Sequence, residues 1–128
     1  MKALILSNGQ FKEQEIKNTL EELQSIVGGY IEFPFISKVF RDNVIDVIIN
    51  EEGKYIEGLK AEIAVVDGKT KQVLDVIFGN CVFASHDEEG NTIELNDKQM
   101  KIIMQELQMD MNITYPNGAE FKVKALFV

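Results

Sequence analysis

The chain has 128 residues, a formal net charge of −8 and a pI near 4.6. That length allows one domain with a real core, here residues 1–128, and the 45% hydrophobic content is ordinary for a globular chain. The acidity argues against a general DNA or RNA binder, because phosphate contact needs a concentrated basic surface. With one cysteine, Cys81, and one histidine, His86, neither an internal disulfide nor a zinc site of the usual Cys/His kind can be built from one chain.

In chain order, Lys2–Ser7 reads as a short buried strand, closed by an Asn8-Gly9 turn. The opening MKALILSNG is too short for a signal peptide, and no apolar run approaches the roughly 18–20 residues of a membrane span. A cytoplasmic protein is expected. From Phe11 onward, Ile16, Leu20, Leu23 and Ile26 follow a helical period, with Glu13, Lys17, Glu21 and Glu22 on the wet side. Gly28-Gly29 should end that helix, since a residue without Cβ takes the left-handed cap at no steric penalty.

Tyr30–Ile36 alternates, with Ile31, Phe33 and Phe35 on one side and Tyr30, Glu32 and Pro34 on the other. Pro34 cannot donate to a ladder, which makes this an edge strand or one ending in a bulge. Ser37–Asn43 is expected to be a loop or short turn, holding the single arginine, Arg41. Val44–Asn50 is the strongest strand, rich in β-branched residues. Glu51-Glu52-Gly53 reads as a hairpin turn, with Lys54–Ile56 as the return strand and Gly58 as its end. Ala61–Val66 favours strand. Val73–Phe78 and Cys81–Ser85 are one strand bent at Gly79-Asn80, or two. His86–Gly90 is a second acidic turn, returning through Asn91–Leu95.

Asn96 with Gln99 forms a capping-box pattern at the start of a second helix, whose stripe is Met100, Ile103, Met104 and Leu107. Met109–Thr114 is ambiguous, Tyr115-Pro116-Asn117-Gly118 is a turn, and Ala119–Val128 is the last strand. The order predicts an α+β fold: a mostly antiparallel sheet of about six to eight strands with two helices.

No catalytic signature accompanies these elements. Cys81 lies in an apolar run as a core thiol would, and His86 stands too far along the chain to pair with it. The acidic turns Glu51-Glu52 and Asp87–Glu89 lack the spacing of a calcium loop, and could hold a cation only if they met in space. No phosphate-binding glycine loop occurs, and Gly28-Gly29 follows a helix rather than opening one. Asp46 and Asp75 lie within apolar strands. Either becomes a site candidate if it is buried and paired. Tyr30 beside Glu32 could frame a small-molecule pocket. An outward Phe78 could stack on a planar ligand, although core packing suits it better.

Three stretches together resemble a family of small phage and Firmicutes proteins that carry a domain of unknown function. They are Gly28-Gly29-Tyr30-Ile31-Glu32, Asn50-Glu51-Glu52-Gly53, and Gly79-Asn80. The resemblance covers most of residues 1 to about 100. It departs after Glu57-Gly58-Leu59, where KAEIAVV replaces a proline- and Asn-Arg-containing stretch. It implies a mobile-element context, in which small accessory proteins often counter host defence. The expectation is a non-enzymatic, oligomeric protein without cofactor or metal. It would sequester a small nucleotide-derived immune signal, such as a cyclic ADP-ribose isomer or a cyclic nucleotide, in the host cytoplasm. The candidate ligand residues are Tyr30, Glu32, Arg41, Asn50, Lys54, Lys60, Phe78 and Asn80. The alternative is an acidic module that inhibits a host protein, with Glu13, Glu21, Glu51, Glu52 and Asp87–Glu89 on one face. Oligomers would form through edge strands at Tyr30–Ile36 and Ala119–Val128.

Overall fold

A computed structural model describes residues 1–128. Strand β1, Lys2–Ser7, turns through Asn8 and Gly9 (φ 52° and 76°) into an antiparallel partner, β2, Gln10–Glu15. Two successive left-handed residues suit the tight hairpin turn that matches strand twist. The helix predicted from Phe11 therefore starts later, as α1, Leu20–Val27, with Thr19 accepting from the Glu22 amide. Ile16 packs in the same cluster as Leu23 and Val27, but from a non-helical stretch, and that produced the misleading helical spacing. Gly28 ends α1 at φ 87°, as expected.

Strand β3 is only Ile31–Glu32. Pro34 offers no N–H, and the chain leaves the ladder before Phe33 and Phe35, which stand 49% and 66% exposed instead of packing inward. Ile36 turns into the core, and the expected loop is a one-turn helix, α2, Lys38–Asp42, capped by Ser37 and burying Phe40. Strand β4, Asp46–Asn50, follows. The anticipated return strand at Lys54–Ile56 is absent; Gly53–Tyr55 is a 3₁₀ turn. Gly53 is needed for space, not for a positive φ: a Cβ there would lie 2.7 Å from the Phe78 carbonyl oxygen.

Strands β5, Ala61–Val66, β6, Val73–Phe78, and β7, Cys81–His86, come next, then β8, Thr92–Ile93. Gly79 (φ 86°) separates β6 and β7 into different sheets. Helix α3, Asp97–Glu106, carries the predicted capping box, and its Ile103 and the C-cap residue Leu107 are fully buried. Strands β9, Asp110–Thr114, and β10, Glu120–Phe127, close the chain.

One sheet runs β2-β1-β7-β4-β3, with β8 against the end of β7; the other runs β6-β5-β10-β9. Only β5 and β10 are parallel. The α+β class holds, with ten strands and three helices where fewer were expected. The last strand, predicted as an edge, lies between β5 and β9. The main core joins both sheets: Leu6, Val47 and Phe83 meet Ile63, Ile77 and Leu126 under α2 and α3. On its other face the first sheet packs Ile5, Ile48 and Val82 against Leu23 and Val27 of α1. A polar tie also crosses between sheets. Glu62, 2% exposed in β5, accepts from the Asn8 and Gly9 amides of the β1–β2 turn at 2.8 Å each. No helix is long and apolar enough to cross a membrane.

Candidate functional site

The segment Glu32–Ser37 covers two clefts that meet at Pro34. The first, about 200 Å³, opens between this segment, α2 and the start of β4, with Phe33, Phe35, Arg41, Val44, Asp46 and His86 on its walls. Arg41 lies 5.1 Å over the Phe35 ring, a cation–π geometry. His86 Nδ1 is 2.8 Å from Asp46 Oδ2. A carboxylate there accepts a hydrogen bond from Nδ1–H, leaving Nε2 as the free ring nitrogen. Val44 takes φ 56°, a strained value for a β-branched side chain. Its carbonyl is clamped by Ser85 Oγ at 2.6 Å and Gln99 Nε2 at 3.3 Å, which sets the wall of the cleft.

The second cleft, about 210 Å³, lies between Pro34, the 3₁₀ turn and β6. Glu32, Asn50, Glu51, Lys54, Tyr55 and Phe78 line it. Lys54 is paired with Asp75, and that hydrogen bond holds its ammonium above the usual lysine range. Carboxylates outnumber the single ammonium here, so the second cleft is acidic, whereas the first sets Arg41 against the Asp46 carboxylate that His86 bonds.

The predicted residues divide between these places. Glu32, Asn50, Lys54 and Phe78 come together in the second cleft. Arg41 lies in the first. Tyr30 is 72% exposed over a shallow groove shared with Asn50 and Ile56. Lys60 belongs elsewhere, with its Nζ beside Gly9 at the β1–β2 turn. Asn80 is also apart. Its Nδ2 donates to the Ile26 carbonyl at 3.0 Å, and its Oδ1 accepts from Ser7 Oγ at 2.7 Å.

Asn50 is bonded in the same manner. Its Nδ2 reaches the Val27 carbonyl at 3.2 Å, and its Oδ1 accepts from the Glu52 amide at 2.8 Å. Both asparagines thus satisfy carbonyls of the last turn of α1, which otherwise lack helical partners. Gly29 lies against the same amide, where a Cβ would stand 3.0 Å from Asn50 Nδ2. The three separated motifs therefore converge on one anchor for the C-terminus of α1, and their asparagine amides are engaged in it.

Asp46 and His86 were not among the predicted ligand residues. The only local signal was an aspartate inside VIDVIIN; its partner lies 40 residues away. The acidic turns do not meet. β4 and β7 are antiparallel, so the turns that follow them sit at opposite ends of the sheet, and no group of three His, Cys, Asp or Glu side chains is placed to hold a cation. Cys81 is fully buried, which pushes its thiol far above the ordinary range.

Fold and surface together define an α+β protein with two sheets around one core and a two-lobed cleft at a sheet edge. The chain belongs to the family described as a domain of unknown function (DUF3846), whose model matches residues 1–108. That stretch contains all three motifs and both clefts, while β9 and β10 lie beyond it. No curated protein and no solved structure matches the chain.

Proposed function

We propose that the chain is a binding protein that holds a small nucleotide-derived molecule across Pro34 without converting it. The observation that carries this reading is the contrast between the two lobes. Arg41 beside exposed phenyl rings suits a phosphate and a planar group. Glu32 and Tyr55 in the acidic lobe suit the hydrogen-bond donors of a base or sugar. Each lobe alone is smaller than the roughly 300–1,000 Å³ of small-molecule sites, and the two together fall inside that range. The mobile-element context implied by the motif resemblance favours an immune signal as cargo, taken up in the host cytoplasm. A cyclic ADP-ribose-like compound or a cyclic nucleotide fits that description. An oligomer would set several such sites side by side.

Thermal shift against a panel of cyclic nucleotides and ADP-ribose isomers tests this. A ligand at about 100 times its Kd should stabilise the protein by about 2.7 kcal/mol. Arg41→Ala should abolish the shift, and chromatography after incubation with Mg²⁺ should return the ligand unchanged. No shift from any compound well above micromolar concentration sinks the reading; a new product would make the protein an enzyme.

A second reading, a module that binds a host protein, draws on Tyr30, Phe33, Phe35 and Tyr55, all exposed around β3. It would use this aromatic surface, since Glu51-Glu52 and Asp87–Glu89 lie at opposite ends of the sheet. Capture from host lysate that survives salt and is lost in Phe35→Ala would support it.

A further inference from the structure

We propose that two copies of this chain pair antiparallel through the free edge of β3, about a two-fold axis at Ile31. This deepens the oligomeric part of the reading above but does not depend on any ligand.

Strand β3 bonds to β4 on one side only. The Glu51 amide donates to the Tyr30 carbonyl at 2.9 Å, which turns the backbone groups of Tyr30 toward β4. In an antiparallel ladder the direction alternates, so Ile31 presents its N–H and C=O to the open side.

Two of the other edges are less suited. β2 is lined by Lys12, Glu13 and Glu15, charges that protect an edge from pairing. The end of β6 is covered by the 3₁₀ turn, with Gly53 against the Phe78 carbonyl.

Register follows from side chains. Centring the axis on Glu32 would set two carboxylates opposite one another, which is unfavourable. Centring on Phe33 would need the strand to continue through Phe35, whereas it ends at Glu32. Centring on Ile31 lets the two Ile31 residues exchange both backbone bonds. Glu32 then faces Tyr30 of the other copy. Phe33 lies across Gly29, which has no side chain to obstruct the ring.

The area is adequate. Tyr30, Phe33, Phe35 and Tyr55 are 72, 49, 66 and 86% exposed. At roughly 200 Å² per aromatic side chain they offer more than about 500 Å². Val39, Val44 and Ile56, each about two-fifths exposed, extend the patch toward the roughly 800 Å² per partner of a stable interface. Residues 30–41 carry Glu32 against Lys38 and Arg41, while the Tyr55 end of the patch borders the acidic cleft of Glu32 and Glu51.

The test combines sedimentation velocity of the full chain with cysteine crosslinking. Wild type at tens of micromolar should sediment as a dimer. Phe33→Glu should sediment as a monomer with its circular dichroism intact. Ile31→Cys should form a covalent dimer on mild oxidation, because directly paired Cα atoms lie about 5.5 Å apart, within disulfide reach. Glu32→Cys should not, and buried Cys81 does not compete. A monomeric wild type, a dimer that survives Phe33→Glu, or preferential crosslinking through Glu32→Cys would each overturn the proposal. A monomer that still responds to nucleotide removes the dimer alone. A dimer with no ligand response keeps the dimer and removes the nucleotide reading.

Discussion

Asn50→Asp exchanges the side-chain amide nitrogen for an oxygen and leaves the shape of residue 50 almost unchanged. In the native arrangement that nitrogen donates to the Val27 carbonyl at 3.2 Å, and the residue is 4% exposed. The substitution removes one hydrogen bond and leaves a buried carbonyl unpaired, at about 1–3 kcal/mol. It also places a negative charge at the C-terminal, partially negative end of α1, adding about 0.3–1 kcal/mol. The bond from the Glu52 amide to Oδ1 survives and offsets part of this. A net loss of about 1–3 kcal/mol is expected, which with a urea m-value near 2 kcal/mol/M lowers the midpoint by about 0.5–1.5 M. Equilibrium urea denaturation at neutral pH reads it directly. If the variant unfolds within about 0.5 kcal/mol of wild type, well inside the scatter of ordinary surface substitutions, the anchor argument is wrong. Asn50 would then be free to serve a ligand.

Glu62→Ala removes two charge-assisted bonds to the β1–β2 turn while relieving a buried carboxylate, and should cost about 2–4 kcal/mol in the same assay; unchanged stability would refute the tie between sheets. Val44→Gly relieves about 1–2 kcal/mol of left-handed strain against about 0.5–1 kcal/mol of glycine entropy, so the melting temperature should hold or rise slightly, and a fall of several degrees would contradict the strain. Tyr115→Phe deletes a buried hydroxyl that has no partner within the Phe78–Phe121 cluster and should stabilise by about 1 kcal/mol; destabilisation would mean the hydroxyl is bonded. The Lys124 hydrogen bond, with the charges of Lys124 and Lys122, holds the Asp110 carboxyl below its ordinary value of 3.8. A depressed carboxylate adds stability above that value and loses it as pH falls through the folded one. Asp110→Asn should therefore be less stable than wild type at pH 6–7 and converge with it as pH falls well below the ordinary carboxyl value; a difference that persists once both states are protonated would sink this account.

What could be read without coordinates was local. The Asn8-Gly9 turn, the Gly28 cap and the Asn96–Gln99 capping box each depend on residues within four positions of one another, so their chemistry is written in adjacent letters. The apolar, β-branched runs at Ala61–Val66 and Cys81–Ser85 likewise gave strands, and the order of elements gave the α+β class. Local spacing misled where residues of different elements share one core, as Ile16 and Leu23 do. The tertiary structure alone decided that β10 lies inside its sheet, and that Asn50 and Asn80 reach the same helix end from 23 and 54 residues away. It alone joined Asp46 to His86 and laid Arg41 over Phe35. Contacts of that kind follow from how two sheets pack, and no short window of sequence carries the information.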